Sequence, residues 1–85
     1  MRTYKLTIST PDGDIYNGDA VRLLVRGISG DLAVLAGHVP FSTVVKEGKY
    51  SLKCADGTEK SGKIGVGLLN VASTGTTLLT GYIEW

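Results

Sequence analysis

Apolar residues in this chain alternate in short bursts that glycine-bearing turns cut off, and no segment keeps a helical period for three turns. A chain written this way buries its apolar side chains only by pairing short strands, because a helix needs a sustained three-to-four residue period to present one apolar stripe. The twelve glycines are spread without a repeat, as many tight turns between strands require.

The alternation starts at once, with Tyr4, Leu6 and Ile8 toward one face and Lys5, Thr7 and Ser9 toward the other. Pro11 ends that strand and Asp12-Gly13 supplies a hairpin turn; Ile15-Tyr16 opens a return strand that stops at Asn17-Gly18. Val21, Leu23 and Val25 then alternate with Arg22, Leu24 and Arg26 in a third strand. Gly27 and Gly30 bracket a bend, and Leu32, Val34 and Leu35 form a brief apolar strand. Gly37-His38-Val39-Pro40 turns the chain again, with Pro40 holding Val39 extended. Phe41 to Lys46 and Lys49 to Cys54 read as a hairpin pair around Glu47-Gly48. Beyond them Asp56-Gly57, Gly62, Gly67 and Thr74-Gly75 punctuate apolar pairs such as Ile64/Val66, Leu69/Val71 and Leu78/Leu79. This grammar predicts an all-β fold of about ten short strands, either two packed antiparallel sheets (a β-sandwich) or a flattened barrel.

At 85 residues the chain has material for one core, so residues 1–85 are expected to form a single domain. By the usual scaling it buries only about 60 to 65 % of its unfolded surface, which makes stabilisation by a partner plausible. With 42 % hydrophobic and 20 % charged residues it has the make-up of an ordered globular domain. Nine basic and eight acidic side chains give a formal charge of +1 with neither sign gathered into a run, which argues against a nucleic-acid partner. Arg22 and Arg26 share one strand face and read as a solvated edge. Cys54 stands alone, so an intramolecular disulfide and a redox motif are excluded and a buried thiol is expected. The chain shows no signal-peptide pattern and no run approaching ~20 apolar residues. A cytosolic location, reaching a membrane only through partners, is therefore expected.

A hydrolase reading would join His38 to Ser29 or Ser42 and recruit Asp31, since a nucleophile needs a base and the base an orienting carboxylate. The chain has one histidine and no nucleophile elbow, and serine and aspartate are ordinary turn residues, so catalysis is not supported. One histidine without a second ligand at usable spacing cannot hold a metal. Gly62, Gly65 and Gly67 precede no helix, so they mark bulges or close backbone approach rather than a phosphate cradle. No cofactor is expected. A biotinyl or lipoyl carrier remains as an alternative, because Lys46 and Lys49 flank the hairpin at Glu47-Gly48. Their neighbours Val45, Glu47, Gly48 and Tyr50 are unlike the small or methionine residues around an attachment lysine. The turn, strand and turn from Gly27 to Pro40 is thus read as a protein-docking surface.

The ordered string Gly27-Ile28-Ser29-Gly30-Asp31-Leu32-Ala33-Val34-Leu35-Ala36-Gly37-His38-Val39-Pro40 resembles the signature G-x-x-G-[ED]-L-[GA]-[IV]-L-x-G-H-x-P of the epsilon subunit of F-type ATP synthase, called delta in mitochondria. Thr10-Pro11-Asp12-Gly13 with Tyr16-Asn17-Gly18-Asp19-Ala20 resembles that family's opening hairpin, and Ile64-Gly65-Val66-Gly67-Leu68-Leu69-Asn70-Val71 is similar to its glycine-marked late strand.

The resemblance runs through the chain in order and implies a ten-stranded β-sandwich. It further implies a non-catalytic part of the rotor's central stalk, on the cytoplasmic face of the membrane without inserting into it. Such a part binds the gamma subunit and rests on the polar loops of the c ring, coupling proton flow to ATP synthesis. Carried over by residue, Arg26, Gly27, Ile28, Ser29 and Asp31 match the region facing the c ring. Thr10, His38, Phe41 and Thr43 match the side facing gamma. Asp31 is expected to meet c-loop cations in an exposed pairing worth about 0 to 1 kcal/mol and weakened by salt. The plain alternative for His38 is capping of backbone carbonyls in its tight loop, and both roles are compatible. The family normally continues into a two-helix C-terminal hairpin that restrains ATP hydrolysis and in some members binds ATP. This sequence stops at Trp85, so neither property is expected of these residues alone.

Overall fold

Which glycines turn the chain back on itself is decided by backbone angle. The computed structural model describes residues 2–85. Its strands are β1 (Tyr4–Thr10), β2 (Gly13–Gly27), β3 (Gly30–Leu35), β4 (Phe41–Val45), β5 (Gly48–Cys54), β6 (Glu59–Ile64), β7 (Gly67–Ala72) and β8 (Gly75–Thr80). The hairpins β1–β2, β2–β3, β5–β6 and β7–β8 turn at Gly13, Gly30, Gly57 and Gly75, with φ of 122°, 125°, 91° and 153°. A side chain would strain each of these angles, so glycine is the residue that permits the reversal.

Gly48 is not among the positive-φ glycines, and the expected hairpin around Glu47-Gly48 is corrected accordingly. β4 pairs with β7, whereas β5 pairs with β2 and β6. The segment between β4 and β5 is a crossover from one sheet to the other.

Eight strands replace the expected ten or so, mainly because the two strands placed on either side of Asn17-Gly18 are one strand, β2, of 15 residues. Its first half pairs with β1 and its second half with β3 and β5. A register shift between Ala20 and Arg22 lets it turn the corner. Ala20 and Leu23 are three residues apart yet both fully buried, so Val21 is the extra residue of a bulge that bends the strand and resets its inward face.

The strand path β1-β8-β7-β4-β2-β5-β6 returns through the β1–β2 pairing, with β3 attached to β2, giving an all-β sandwich closed along one side as a flattened barrel. Every ladder is antiparallel except β1–β8, which is parallel.

Inward-facing positions of both sheets meet in one cluster that includes Leu6, Ile8, Leu23, Leu52, Ile64 and Leu69. Cys54 belongs to it as a buried free thiol. Leu35, expected to pack with Leu32 and Val34, instead points outward and is half exposed. The chain end lies along β6: Ile83 bridges Ile64, the Glu84 N–H donates to the Lys63 carbonyl at 2.9 Å, and the Gly65 N–H donates to the Tyr82 carbonyl at 2.8 Å.

Two phenols, one on buried Tyr50 and one on partly buried Tyr4, tie distant segments together. The Tyr4 hydroxyl donates to the Val34 carbonyl at 3.0 Å, and the Tyr50 hydroxyl donates to the Glu84 carbonyl. Burial raises the pKa of both, and the Glu84 carboxylate adds to it at Tyr50. A phenol with a raised folded pKa holds its proton more tightly when folded. Its stabilising contribution is therefore complete below the unfolded value of about 10 and is lost as pH climbs through the folded value. In a Tyr16→Phe/Tyr82→Phe background, tyrosinate absorbance should appear above about pH 10 together with loss of the β-sheet circular dichroism signal. Tyrosinate formed with the sheet signal intact would refute the coupling.

Candidate docking interface

The β2–β3 hairpin is built by direct pairing of Arg26 with Asp31 and of Gly27 with Gly30. Arg26 Nε stands 3.6 Å from Asp31 Oδ1, with both side chains mostly exposed. Asp31 therefore already faces a cation of its own chain. Gly27 is buried against Val45 of β4, so it shapes the turn and presents no side chain. Ile28, 57 % exposed, is the apolar tip, with Ser29 beside it.

The four residues matched to the gamma side do not converge on one spot. The His38 and Phe41 rings stack, with centroids 4.8 Å apart, at the start of β4. The His38 ring fits the capping reading, its Nδ1 lying 2.9 Å from the Val39 carbonyl, while the backbone N–H of His38 donates to the Leu35 carbonyl at 3.2 Å. Phe41 and Thr43 are half-buried and alternate with outward Ser42 and Val44, on the face of β4 that carries buried Val45. Thr10 lies across the sheet, at the end of β1.

Thr10 opens onto a feature that the sequence reading did not single out. Val44, Leu68 and Leu79 are direct cross-strand partners on the outer face of β4, β7 and β8, and Ser9 of β1 pairs with Leu79. Leu68 is 57 % and Leu79 48 % exposed, and Val66 stands free beside them. With Thr10 and Pro11 they line a shallow groove of about 520 Å³. The neighbouring row on this face is Ser42, Asn70, Thr77 and Thr7, where the Ser42 hydroxyl donates to Asn70 Oδ1 at 2.6 Å. Neither row carries a charge. The signal was present in the doublets Leu68-Leu69 and Leu78-Leu79, because two successive strand residues cannot both face the core.

Of the residues of the hydrolase reading, Asp31 is engaged with Arg26, Ser42 with Asn70 and His38 with its own loop, while Ser29 sits in the exposed β2–β3 turn. Among the described residues, no three His, Cys, Asp or Glu side chains are placed to hold a metal ion. The arrangement offers surfaces, one apolar and uncharged and one a protruding turn.

A family model described as the ATP synthase delta/epsilon chain β-sandwich domain matches residues 3–85. The chain belongs to this family. The delta/epsilon sandwich is 36 % identical over 83 residues, 98 % of its length, to the sodium-ion-specific ATP synthase epsilon chain of Acetobacterium woodii. It is 39 % identical over 84 residues, 99 % of its length, to the ATP synthase epsilon chain of Bacillus velezensis. It spans 62 % and 63 % of the length of these two relatives. Its fold matches a chain in the Euglena gracilis mitochondrial ATP synthase OSCP/F1/c-ring structure with a TM-score of 0.85 at 23 % identity, covering 94 % of this chain and 51 % of that one. A chain in the Tetrahymena thermophila central stalk/c-ring structure matches with a TM-score of 0.77 at 13 % identity, covering 89 % and 61 %. The match over residues 3–85 bears out the resemblance read in order along the chain.

Proposed function

We propose that this chain is a non-catalytic rotor element of ATP synthase. It docks on the gamma subunit through the uncharged outer face of β4, β7 and β8, and rests the β2–β3 tip on the polar loops of the c ring. The observation that carries this reading is the exposed Val44-Leu68-Leu79 row, because apolar side chains aligned across three strands gain most by being covered. Family membership, relatives named as epsilon chains, and fold neighbours in F1/c-ring and central-stalk structures support it. Thr10 lies at the rim of this groove, whereas Phe41 and Thr43 share the inward face of β4 with Val45 and His38 precedes that strand, so of the four matched residues only Thr10 borders the proposed seat. On this reading the chain sits peripherally at the cytoplasmic face of the membrane, held there by its partners. No described helix is long and apolar enough to cross one. The carrier alternative loses its footing, because β4 and β5 do not pair and Lys46 and Lys49 do not mark a hairpin tip.

The direct test is calorimetric titration of purified gamma with the 85-residue chain. Saturable binding is expected, and absence of binding by the folded chain overturns the reading. The tip is tested separately: Ile28→Asp should weaken association with purified c rings by about 5- to 30-fold, as loss of an interface anchor does, while gamma binding stays unchanged. Equal c-ring affinity in the variant would remove the tip from the interface.

A further inference from the structure

Charges scattered along the sequence are gathered by topology onto the other outer face, formed by β3, β2, β5 and β6. Its outward side chains form three rows across the strands. The first contains Leu35, Arg22, Lys53 and Glu59; the second Ala33, Leu24, Ser51 and Ser61. The third begins with the Arg26–Asp31 pair and continues with the Lys49–Lys63 pair, Arg26 lying against Gly48. Two cationic rails thus flank a middle row that is small or apolar, with Leu24 exposed at its centre. The rows hold five cations and only Asp31 and Glu59 as carboxylates; a groove of about 1010 Å³ runs over the second and third rows, where Arg26, Lys49 and Lys63 line it with Asp31 and Glu47.

Two of these contacts oppose folding. Arg22 sits directly across from Lys53, and Lys49 directly across from Lys63; like charges opposed in a ladder destabilise it. Arg22 Nε is also shut off from solvent without a hydrogen-bond partner. A face that retains such pairs is complementary to negative charge from outside.

We infer that this face seats an acidic amphipathic polypeptide helix laid across the strands, its apolar side on Leu24 and its carboxylates on the two rails. The dimensions fit. Rails four residues apart along β2 are separated by about 13 Å, which brackets a helix about 10–12 Å across. Four strands span about 14 Å, the length of a helix of about ten residues. The seat lies on the opposite side of the core from the Val44-Leu68-Leu79 row and does not depend on gamma docking.

Fluorescence anisotropy with the 85-residue chain tests this, using a panel of stapled three-turn peptides that carry glutamates on both flanks of a leucine stripe. Saturable binding that weakens with salt is expected. Lys49→Glu should reduce it about tenfold and, by removing a like-charge pair, raise the melting temperature, so lost binding cannot be ascribed to misfolding. The same variant should bind gamma normally, whereas Leu68→Glu should retain the peptide and lose gamma, so failures of the two seats are distinguishable. The inference is overturned if no peptide of the panel saturates or if Lys49→Glu binds as tightly as the parent. Equal binding of peptides with a scrambled stripe, or capture by phosphatidylglycerol vesicles in place of peptides, overturns it too.

Discussion

Leu68→Glu should abolish most of the gamma affinity, costing about 2 kcal/mol or more and hence about 30-fold or more in Kd, while leaving the fold intact. Leu68 sits at the middle of the uncharged row, flanked by Val44 and Leu79, where a covering partner would exclude water from all three. A carboxylate there would lose its hydration without a cation to pair with, since neither row of that face carries a charge. In the free chain the same side chain is 57 % exposed, so the stability change should stay within about 0.5 kcal/mol. Calorimetry against gamma, paired with a thermal melt, reads both numbers. Parent-like affinity would move the gamma seat off this face.

The largest effect on folding is expected at a position without a side chain. A Cβ on Gly67 would lie 2.3 Å from the Leu79 carbonyl oxygen and 3.2 Å from Thr80 Cα. Both are backbone, and both belong to the β7–β8 ladder in which Gly67 pairs with Thr80 and Leu68 with Leu79. Relief therefore requires prising that ladder apart. Gly67→Ala should cost about 1–3 kcal/mol and lower Tm by about 5–20 °C. For a chain of this size, whose whole stability is about 4–13 kcal/mol, that is a substantial share. Gly81→Ala is the control, because a Cβ there meets nothing within 4 Å. An unchanged urea midpoint for Gly67→Ala would show that the two strands have room to separate.

Local alternation was enough to place Leu6 and Ile8 in the core and to find the four hairpin turns, because strand period and left-handed glycine are properties of a few adjacent residues. Tertiary neighbours decided what local pattern could not. Asn17-Gly18 looks like a turn, yet the Tyr16 ring folds over Gly18 and its hydroxyl donates to the Asp19 carbonyl at 2.8 Å, so the strand runs on. Glu47-Gly48 looks like a hairpin, but no dipeptide states which strands will pair. The shapes of the candidate surfaces are legible in part. The protruding turn at Ile28 was read correctly as a turn, whereas the outward members of the leucine doublets were absorbed into apolar pairs. Arg22, Arg26, Lys49, Lys53 and Lys63 never form a run, and only the pairing of β2, β5 and β6 makes them neighbours.

β2 has a mechanical consequence. One continuous backbone passes from its ladder with β1, beside the uncharged face, through the bulge at Val21, to the turn at Ile28. Load applied at that turn would run along the strand and strain its flanking hydrogen bonds in shear, many at once, instead of peeling them open singly. With no loop interposed to act as a hinge, the proposed c-ring contact and gamma seat would twist as one stiff piece, and torque taken up at the tip would reach gamma with little angular slack.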